Sequence, residues 1–244
     1  MPQIDKTRTE HIEQAQKRDA NIKSSAAIPQ SNSSVAEPLK IPGIAYHEVN
    51  FNGSAFSRML ISKLTWMETF RLITLMIFGY RLDAIKILAP SMNAMGIVGL
   101  AISSLDVCTK EVKQVFDILG DEANWPTLVH CTQGKDRTGL IVMLLLFLLD
   151  VDVSAVDKDY MLSGPELEAE RPGRIKEIES IGLSERFAFC PPDVVERVHG
   201  HIQEKYGGVE RYLQGAGVTA ETVERVKKIL RAEAAAAAGS ADDE

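Results

Sequence analysis

The sequence predicts an α/β domain that is rich in helices, with a central sheet flanked by them. Apolar residues recur at three- and four-residue steps over long stretches, which is the helical period. Two short segments, residues 45–51 and 127–130, instead have the composition of strands. The second segment leads through a glycine-containing loop into residues 140–149, which are apolar on every side. Because such a helix lies in the middle of a domain, this succession is expected to form the centre of the fold.

The chain of 244 residues fits one domain of ordinary size with tails, since a hydrophobic content of 45% is enough to bury a sizeable core. Residues 1–40 are polar and contain almost no aromatic residues, which predicts a disordered arm. Residues 232–244 pass from an alanine run to acidic residues, which predicts a disordered tail. The folded domain is therefore assigned to residues 41–231.

Several helices are expected along this domain. The periodicity of residues 54–88 predicts two or more, with breaks at Gly79 and Pro90. A further helix is predicted over residues 109–119, with Gly120 as its end. Two more are predicted near the C-terminus, at residues 193–206 and 223–230.

Residues 87–105 carry no charged side chain over a length that could cross a bilayer. Pro90, Asn93, Gly96 and Gly99 interrupt the segment, together with several serines. Buried helices joined by a turn explain the same composition. No transmembrane segment is therefore predicted.

Charge and cysteine content exclude several classes of protein. A net charge of -7 and a pI near 5.4 argue against a general nucleic-acid binder, because neutralising a phosphate backbone needs a basic face. Cys108, Cys131 and Cys190 fit neither a disulfide framework nor a CxxC metal site, which favours a reducing compartment such as the cytoplasm. The N-terminus lacks the apolar run of a secretory signal. The five histidines lack zinc-ligand spacing, so no metal or other cofactor is predicted.

One run of ten residues, between the second strand candidate and the apolar helix, carries the predicted chemistry: HCTQGKDRTG, residues 130–139. In a strand-to-helix turn, backbone N–H groups converge at the positive end of the helix dipole, and that point attracts a phosphate. The same environment favours a thiolate over a thiol. Cys131, at the centre of the turn, is therefore predicted to be a nucleophile with a lowered pKa.

Neighbouring residues fit the same chemistry. The guanidinium of Arg137 is planar and can hold two phosphoryl oxygens at once, which a lysine cannot do. The Thr138 hydroxyl can donate to the cysteine sulfur and stabilise it as a leaving group. Gly134 and Gly139 permit the turn and close helix packing. The alternative, an inert buried thiol at Cys131, would not require these residue types in this order.

The pattern HC, five residues, then RTG resembles the signature loop of the cysteine-based protein tyrosine phosphatase superfamily. The fuller HCTQGKDRTG is similar to its atypical tyrosine/serine phosphatase branch, which includes fungal members and secreted mycobacterial and listerial enzymes. The resemblance extends over about residues 41–230 and includes Asp159, Tyr160 and the segment 206–213. It implies a protein tyrosine phosphatase-like α/β fold.

The resemblance also implies the residue roles. Cys131 attacks phosphorus, Arg137 holds the phosphoryl group, and water hydrolyses the phosphocysteine, without a metal. His130 orients the loop and tunes the thiolate, while Asp136 serves as general acid. Lys135 resembles the extra cation of members that hydrolyse phosphoinositides; alternatively it is a solvent-facing lysine that balances Asp136. The substrate-binding positions are Thr132, Gln133, Gly134, Lys135, Asp136 and Arg137.

The chain departs from the resembled family at its N-terminal side. Relatives have an Asn-Phe-Arg-Asp-type segment and an Asp-Leu-Arg strand before the region that begins here near residue 41, and neither is present. Either residues 1–40 replace those strands, or the domain is truncated at its N-terminus. The sequence thus predicts an active phosphatase acting on phosphoproteins or phosphoinositides, or else an impaired pseudophosphatase that binds phosphorylated ligands. A CX5R arsenate reductase or a rhodanese-like sulfur carrier is a third alternative, and no oligomeric state is predicted.

Overall fold

The computed structural model describes residue 41 and residues 43–241, with side chains described as far as Arg231. The predicted disordered arm, residues 1–40, lies outside the described residues. Over the described part of the chain the helices are α1 (Ser54–Ile61), α2 (Trp66–Ile77), α3 (Arg81–Val107), α4 (Thr109–Leu119), α5 (Asp136–Leu148), α6 (Val153–Glu166), α7 (Arg171–Ser180), α8 (Val194–Tyr206), α9 (Val209–Gly215) and α10 (Ala220–Ala241). Two short 3₁₀ helices, Glu122–Asn124 and Glu185–Ala188, lie between α4 and α5 and between α7 and α8.

The chain divides into residues 1–46 and residues 47–244. In the first unit, the described residues include a turn at Gly43 and a hydrogen bond of 3.0 Å from the Ile41 backbone N–H to the Tyr46 hydroxyl. All the helices above belong to the second unit.

Neither predicted strand forms. Residues 45–50 and 127–130 have no regular secondary structure, and residue 51 lies in a turn. Residues 127–130 keep the alternation of a strand, because Thr127 and Val129 are half-buried whereas Leu128 is 86% exposed. A strand needs a neighbour to pair with, and no strand is present in the described ranges. The two strand assignments are therefore wrong for this structure, and the central sheet stays a prediction.

The centre of the core is α5, as its apolar sequence predicts. Its buried side chains come from every side of the helix: Leu140, Ile141, Met143, Leu144, Phe147 and Leu148. They pack in one hydrophobic cluster with residues of α3, α4, α6, α8, α9 and α10. Because α5 is surrounded in this way, the loop that precedes it is fixed to the middle of the helical assembly.

The N-terminal helices follow the predicted pattern in part. The prediction of two or more helices over residues 54–88 is confirmed by α1, α2 and the start of α3. Gly79 follows the end of α2 with a left-handed φ of 82°, as expected of a break. Pro90 does not end a helix. The interruption in α3 is at Gly96 instead, where φ is 62°.

Helix α3 contains the segment for which buried helices joined by a turn were predicted. The two helical halves meet at Gly96, but most of the apolar stretch is not buried. Among the described residues, α3 alone is long and apolar enough to cross a membrane. One such helix is weak evidence of a membrane span, and the Asn93 side chain of α3 is hydrogen-bonded to the Gly182 carbonyl oxygen of the protein.

The C-terminal helices are joined to α3 by a polar cluster around Asp106. This carboxylate accepts hydrogen bonds from the Tyr206 hydroxyl at 2.6 Å, and Lys205 Nζ lies 2.8 Å away. His201 Nε2 is also 2.8 Å from Asp106, and His201 is only one-fifth exposed. Burial raises the pKa of Asp106, but its hydrogen bonds to these three side chains outweigh burial and lower it.

The chain beyond residue 231 differs from the prediction of a disordered tail. Helix α10 continues through the alanine run to Ala241, and residues 242–244 lie outside the described residues. Alanine has the highest helix propensity of all residues, which accounts for the continuation.

Candidate active site

The phosphate loop, residues 131–135, lies between the extended approach of residues 127–130 and the first turn of α5. Its centre is the half-buried sulfur of Cys131, whose charged form is favoured by the backbone N–H groups of Gln133, Gly134 and Thr138. Gly134 has a left-handed φ of 69°, which allows the chain to turn around the sulfur. A Cβ atom at this position would meet nothing within 4 Å, so the backbone conformation alone favours glycine.

This geometry accounts for an acidic thiol at Cys131. Burial raises the pKa of Cys131, but the hydrogen bonds from Thr138, Gln133 and Gly134 outweigh it and lower the pKa from 9.0 to about 7. The other two cysteines behave in the opposite way. Burial raises the pKa of Cys108 to about 12 and also raises that of Cys190. Cys131 is therefore the cysteine that is extensively ionised at neutral pH.

The side chain of Arg137 is directed toward the phosphate loop from the first turn of α5. Its Nη2 donates a hydrogen bond of 3.0 Å to the Thr132 hydroxyl on the opposite side of the loop. Arg137 is half-buried and Thr132 is exposed. The five residues between Cys131 and Arg137 thus bring a nucleophile and a planar cation to the same loop, where both can reach one phosphoryl group.

Thr138 and Gly139 connect the phosphate loop to the core. The Thr138 hydroxyl is buried and has no other hydrogen-bond partner among the described residues, and its interaction with the Cys131 sulfur lowers the pKa of that thiol. A Cβ atom at Gly139 would lie 3.0 Å from the Tyr160 ring, so glycine allows α5 and α6 to approach closely. The predicted packing role of Gly139 is confirmed, with Tyr160 as the side chain that packs against it.

Lys135 is turned into the protein, so the prediction of a solvent-facing lysine is wrong, while its contact with substrate stays a prediction. Its side chain is fully buried, and Nζ donates hydrogen bonds of 3.2 Å and 2.9 Å to the carbonyl oxygens of Phe187 and Phe189. Nζ also lies 3.0 Å from the Asp136 carboxylate. The lysine is therefore not solvent-facing, and its position gives no support to a direct contact with substrate. It fastens the phosphate loop to the second 3₁₀ helix.

The remaining predicted site residues lie at the surface of the loop. Asp136 is the first residue of α5 and its carboxylate is exposed, with Lys135 as its charged partner. His130 is exposed, and its Nδ1 is 3.2 Å from the Cys131 carbonyl oxygen, to which it donates in the tautomer protonated at Nδ1. Gln133 is half-buried and contributes its backbone N–H to the sulfur. The sequence-predicted residues thus come together in one place, with Lys135 turned inward.

The hydrogen bonds that hold the segment next to the phosphate loop could not be predicted from the sequence. Asn93 on α3 donates to the Gly182 carbonyl oxygen at 3.0 Å and accepts from the Ser184 backbone N–H at 2.9 Å. These bonds hold the segment that provides the two carbonyl oxygens for Lys135. Backbone carbonyl groups are present at every residue, so no residue type marks the ones that bind a buried lysine.

The lowered pKa predicts selective alkylation of Cys131. Because the thiolate is the reactive form, iodoacetamide at pH 7 is expected to modify Cys131 well ahead of Cys108 and Cys190. The alkylation rate should be half of its maximum near pH 7 and level off at higher pH. Well below pH 7 it should fall about tenfold per pH unit. Peptide mass spectrometry after timed quenching measures each site.

Thr138→Val is the matched variant for this measurement, since it removes the hydroxyl and keeps the branched side chain. Its alkylation midpoint is expected to move to higher pH, because one hydrogen bond to the thiolate is lost. A midpoint near that of an ordinary thiol in the unmodified chain would contradict the loop geometry.

The class of this protein follows from a comparison of its sequence with known families. The profile of the tyrosine phosphatase family matches residues 34–232 of this chain. Because the match covers most of the sequence, the chain belongs to the tyrosine phosphatase family. The matched range includes the phosphate loop and the helices around it.

Two relatives share part of this range. A tyrosine-protein phosphatase of Nostoc commune is 30% identical over 129 residues, which cover 48% of this chain and 43% of the relative. The triple specificity protein phosphatase PtpB of Mycobacterium tuberculosis is 32% identical over 123 residues, which cover 44% of this chain and 45% of the relative. The match spans less than half the length of either relative.

Proposed function

We propose that this chain hydrolyses phosphate monoesters through a phosphocysteine intermediate, as a member of the HCTQGKDRTG branch that its phosphate loop resembles. The observation that carries the proposal is that three backbone N–H groups and one hydroxyl lower the pKa of Cys131, in the same loop whose Thr132 hydroxyl accepts a hydrogen bond from Arg137. This arrangement supports a thiolate and a phosphoryl group at the same point.

In the first step, the Cys131 thiolate attacks phosphorus and the bond from phosphorus to the leaving oxygen breaks. Arg137 holds two of the phosphoryl oxygens as their charge increases. Asp136, exposed at the mouth of the loop, is the proposed acid that protonates the leaving oxygen. The products of this step are the free alcohol or phenol and a phosphocysteine.

In the second step, water attacks the phosphocysteine and gives up a proton to the Asp136 carboxylate. The bond between sulfur and phosphorus breaks, inorganic phosphate leaves, and the thiolate is restored. The Thr138 hydroxyl stabilises the departing sulfur. His130 supports the loop through the Cys131 carbonyl oxygen.

The proposed substrates are phosphotyrosine first, with phosphoserine, phosphothreonine and phosphoinositides as further classes. The breadth rests on the described specificity of the mycobacterial relative and on an open loop with Thr132, Gly134 and Asp136 exposed. A cytoplasmic location is proposed because the three cysteines are free thiols, one of them reactive. Phosphate release measured side by side on all these substrate classes gives the order of their hydrolysis rates. Equal rates on all of them would refute a preference for phosphotyrosine.

The activity is tested with p-nitrophenyl phosphate. The unmodified chain is expected to release p-nitrophenolate, whereas Cys131→Ser should lose at least about 10³-fold in rate because a serine hydroxyl is not ionised at neutral pH. Circular dichroism with a cooperative melt for both proteins shows that they are folded. Equal release by the two folded proteins would refute the proposal.

The acid role of Asp136 predicts a dependence on the leaving group. Asp136→Asn is expected to slow hydrolysis of phenyl phosphate far more than that of p-nitrophenyl phosphate, because nitrophenolate leaves without a proton. Glu185→Gln, an exposed carboxylate on the second 3₁₀ helix, is the control and should leave both rates unchanged. An equal decrease in rate on both substrates would refute the role of Asp136 as general acid and leave it only a role in positioning the phosphate loop.

A second candidate function is phosphate binding without turnover. It is favoured by residues 127–130, which approach Cys131 without strand pairing and leave Leu128 exposed. Positioning within fractions of an ångström matters for catalysis, whereas binding tolerates more movement. Calorimetric binding of a phosphotyrosine peptide by a folded but inactive chain would support this alternative.

A further inference from the structure

We propose that α2 and the residues next to it form a docking surface for an anionic membrane. The surface comprises the apolar side chains of α2 that face solvent and the basic residues that flank them. The proposal is independent of the phosphate loop, because none of these side chains belongs to it.

The apolar stripe of α2 faces outward. Trp66, Phe70, Ile73 and Ile77 are spaced by four, three and four residues, so they lie on one face of the helix. Their exposed fractions are 80%, 69%, 50% and 75%. A surface helix normally turns such a stripe toward the core. Here the side of α2 that contains the buried Leu72 packs inward instead.

The exposed surface continues beyond the stripe. Large apolar side chains that are also exposed nearby are Met67, Met76, Phe78, Tyr80 and Leu82. Many large apolar side chains exposed on one helix and on the residues next to it indicate an interaction site. Tryptophan, phenylalanine and tyrosine are the residue types that settle at the boundary between lipid headgroups and acyl chains.

The charged residues near α2 indicate that the partner is anionic. Residues 53–88 contain five basic residues and two acidic ones, although the whole chain has a net charge of -7. The five basic side chains are all exposed: Arg58, Lys63, Arg71, Arg81 and Lys86. Of the two acidic residues, Glu68 caps the start of α2 with Thr65, and Asp83 pairs with Lys86. An aromatic, amphipathic helix that is flanked in sequence by exposed basic residues, on an acidic protein, fits an anionic lipid surface.

The docking surface is joined to the phosphate loop through packed elements. Helix α2 packs on α3, and Asn93 of α3 holds the segment whose carbonyl oxygens bind Lys135. Contact with a membrane through α2 would therefore act on an element that is fastened to the loop.

Sedimentation with lipid vesicles tests the proposal on the full chain. The expected result is binding to vesicles of phosphatidylcholine with about a third phosphatidylserine, little binding to phosphatidylcholine alone, and release at high salt. Neither lipid is a phosphate monoester, so Cys131→Ser is expected to bind equally well, whether or not the proposed phosphatase activity holds.

Two pairs of variants separate the apolar and basic contributions. Phe70→Glu and the double variant Lys63→Glu/Arg71→Glu are each expected to weaken binding by about tenfold or more. Their controls are Leu162→Glu on α6, an exposed leucine, and the double variant Lys158→Glu/Lys228→Glu, exposed lysines on α6 and α10. Both controls should bind as the unmodified chain does.

Other occupants of this surface would give different results. A chain that ignores anionic vesicles and is a dimer in analytical ultracentrifugation, with Phe70→Glu a monomer, would show that a second copy covers α2. A chain that resists high salt and leaves vesicles only in detergent would show that α3 spans the bilayer. Absence of vesicle binding in a monomer, or loss of binding in the controls, would likewise overturn the proposal.

Discussion

Arg137→Lys is expected to lower the rate of p-nitrophenyl phosphate hydrolysis by about 10²–10³-fold, mainly in kcat. A lysine at this position keeps the charge but cannot form two parallel hydrogen bonds to the phosphoryl oxygens, which gain charge in the transition state. The lysine also cannot form the same hydrogen bond to the Thr132 hydroxyl, which orients the guanidinium of Arg137 across the loop. Steady-state kinetics with separate kcat and KM values measure the loss.

Arg225→Lys is the matched control, since Arg225 lies on α10 in an exposed ion pair with Glu221. Its kinetics should equal those of the unmodified chain. A folded Arg137→Lys protein with more than half of the original kcat would contradict the assignment of Arg137 to the transition state.

Lys135→Met is expected to lower the free energy of unfolding by about 2–4 kcal/mol. The substitution keeps the apolar stem but leaves the carbonyl oxygens of Phe187 and Phe189 without their buried donor, and an unsatisfied buried acceptor costs about 1–3 kcal/mol. Because the phosphate loop loses its attachment, kcat should decrease on every substrate. Urea unfolding and a substrate panel measure the two effects.

The same variant separates the two roles considered for Lys135. A lysine that contacts substrate would leave the unfolding free energy unchanged and raise KM for a phosphoinositide more than for an aryl phosphate. Lys113→Met removes an exposed ion pair with Asp117 and serves as the control, with an expected change below about 1 kcal/mol. A stability loss no larger than that of the control would refute the anchoring role.

The phosphate loop could be predicted from the sequence because its chemistry depends on residue types in a fixed order. Cys131, Arg137 and Thr138 each need a particular functional group, and Gly134 needs a particular backbone conformation. Helix α5 could be predicted for a similar reason, since its apolar residues leave no side for solvent.

Positions that depend on packing could not be predicted in the same way. Lys135 has the same residue type whether it faces substrate, solvent or two backbone carbonyl groups, and only the fold decides among them. Residues 127–130 have the composition of a strand, but a strand forms only when a partner pairs with it. The periodicity of residues 54–88 predicts helices correctly, but it gives no sign that the apolar stripe of α2 is turned outward.

Direct detection of the phosphocysteine is the most decisive measurement for this protein. Mixing the chain with p-nitrophenyl phosphate, quenching in acid within the first turnovers and mapping peptides by mass spectrometry should reveal one phosphoryl group on Cys131, and none in Cys131→Ser. A larger fraction of phosphorylated enzyme is expected in Thr138→Val, because the departing sulfur loses its hydrogen bond. Turnover of the substrate with no phosphoryl group on Cys131 at any quench time, in the unmodified chain and in Thr138→Val, would contradict the account.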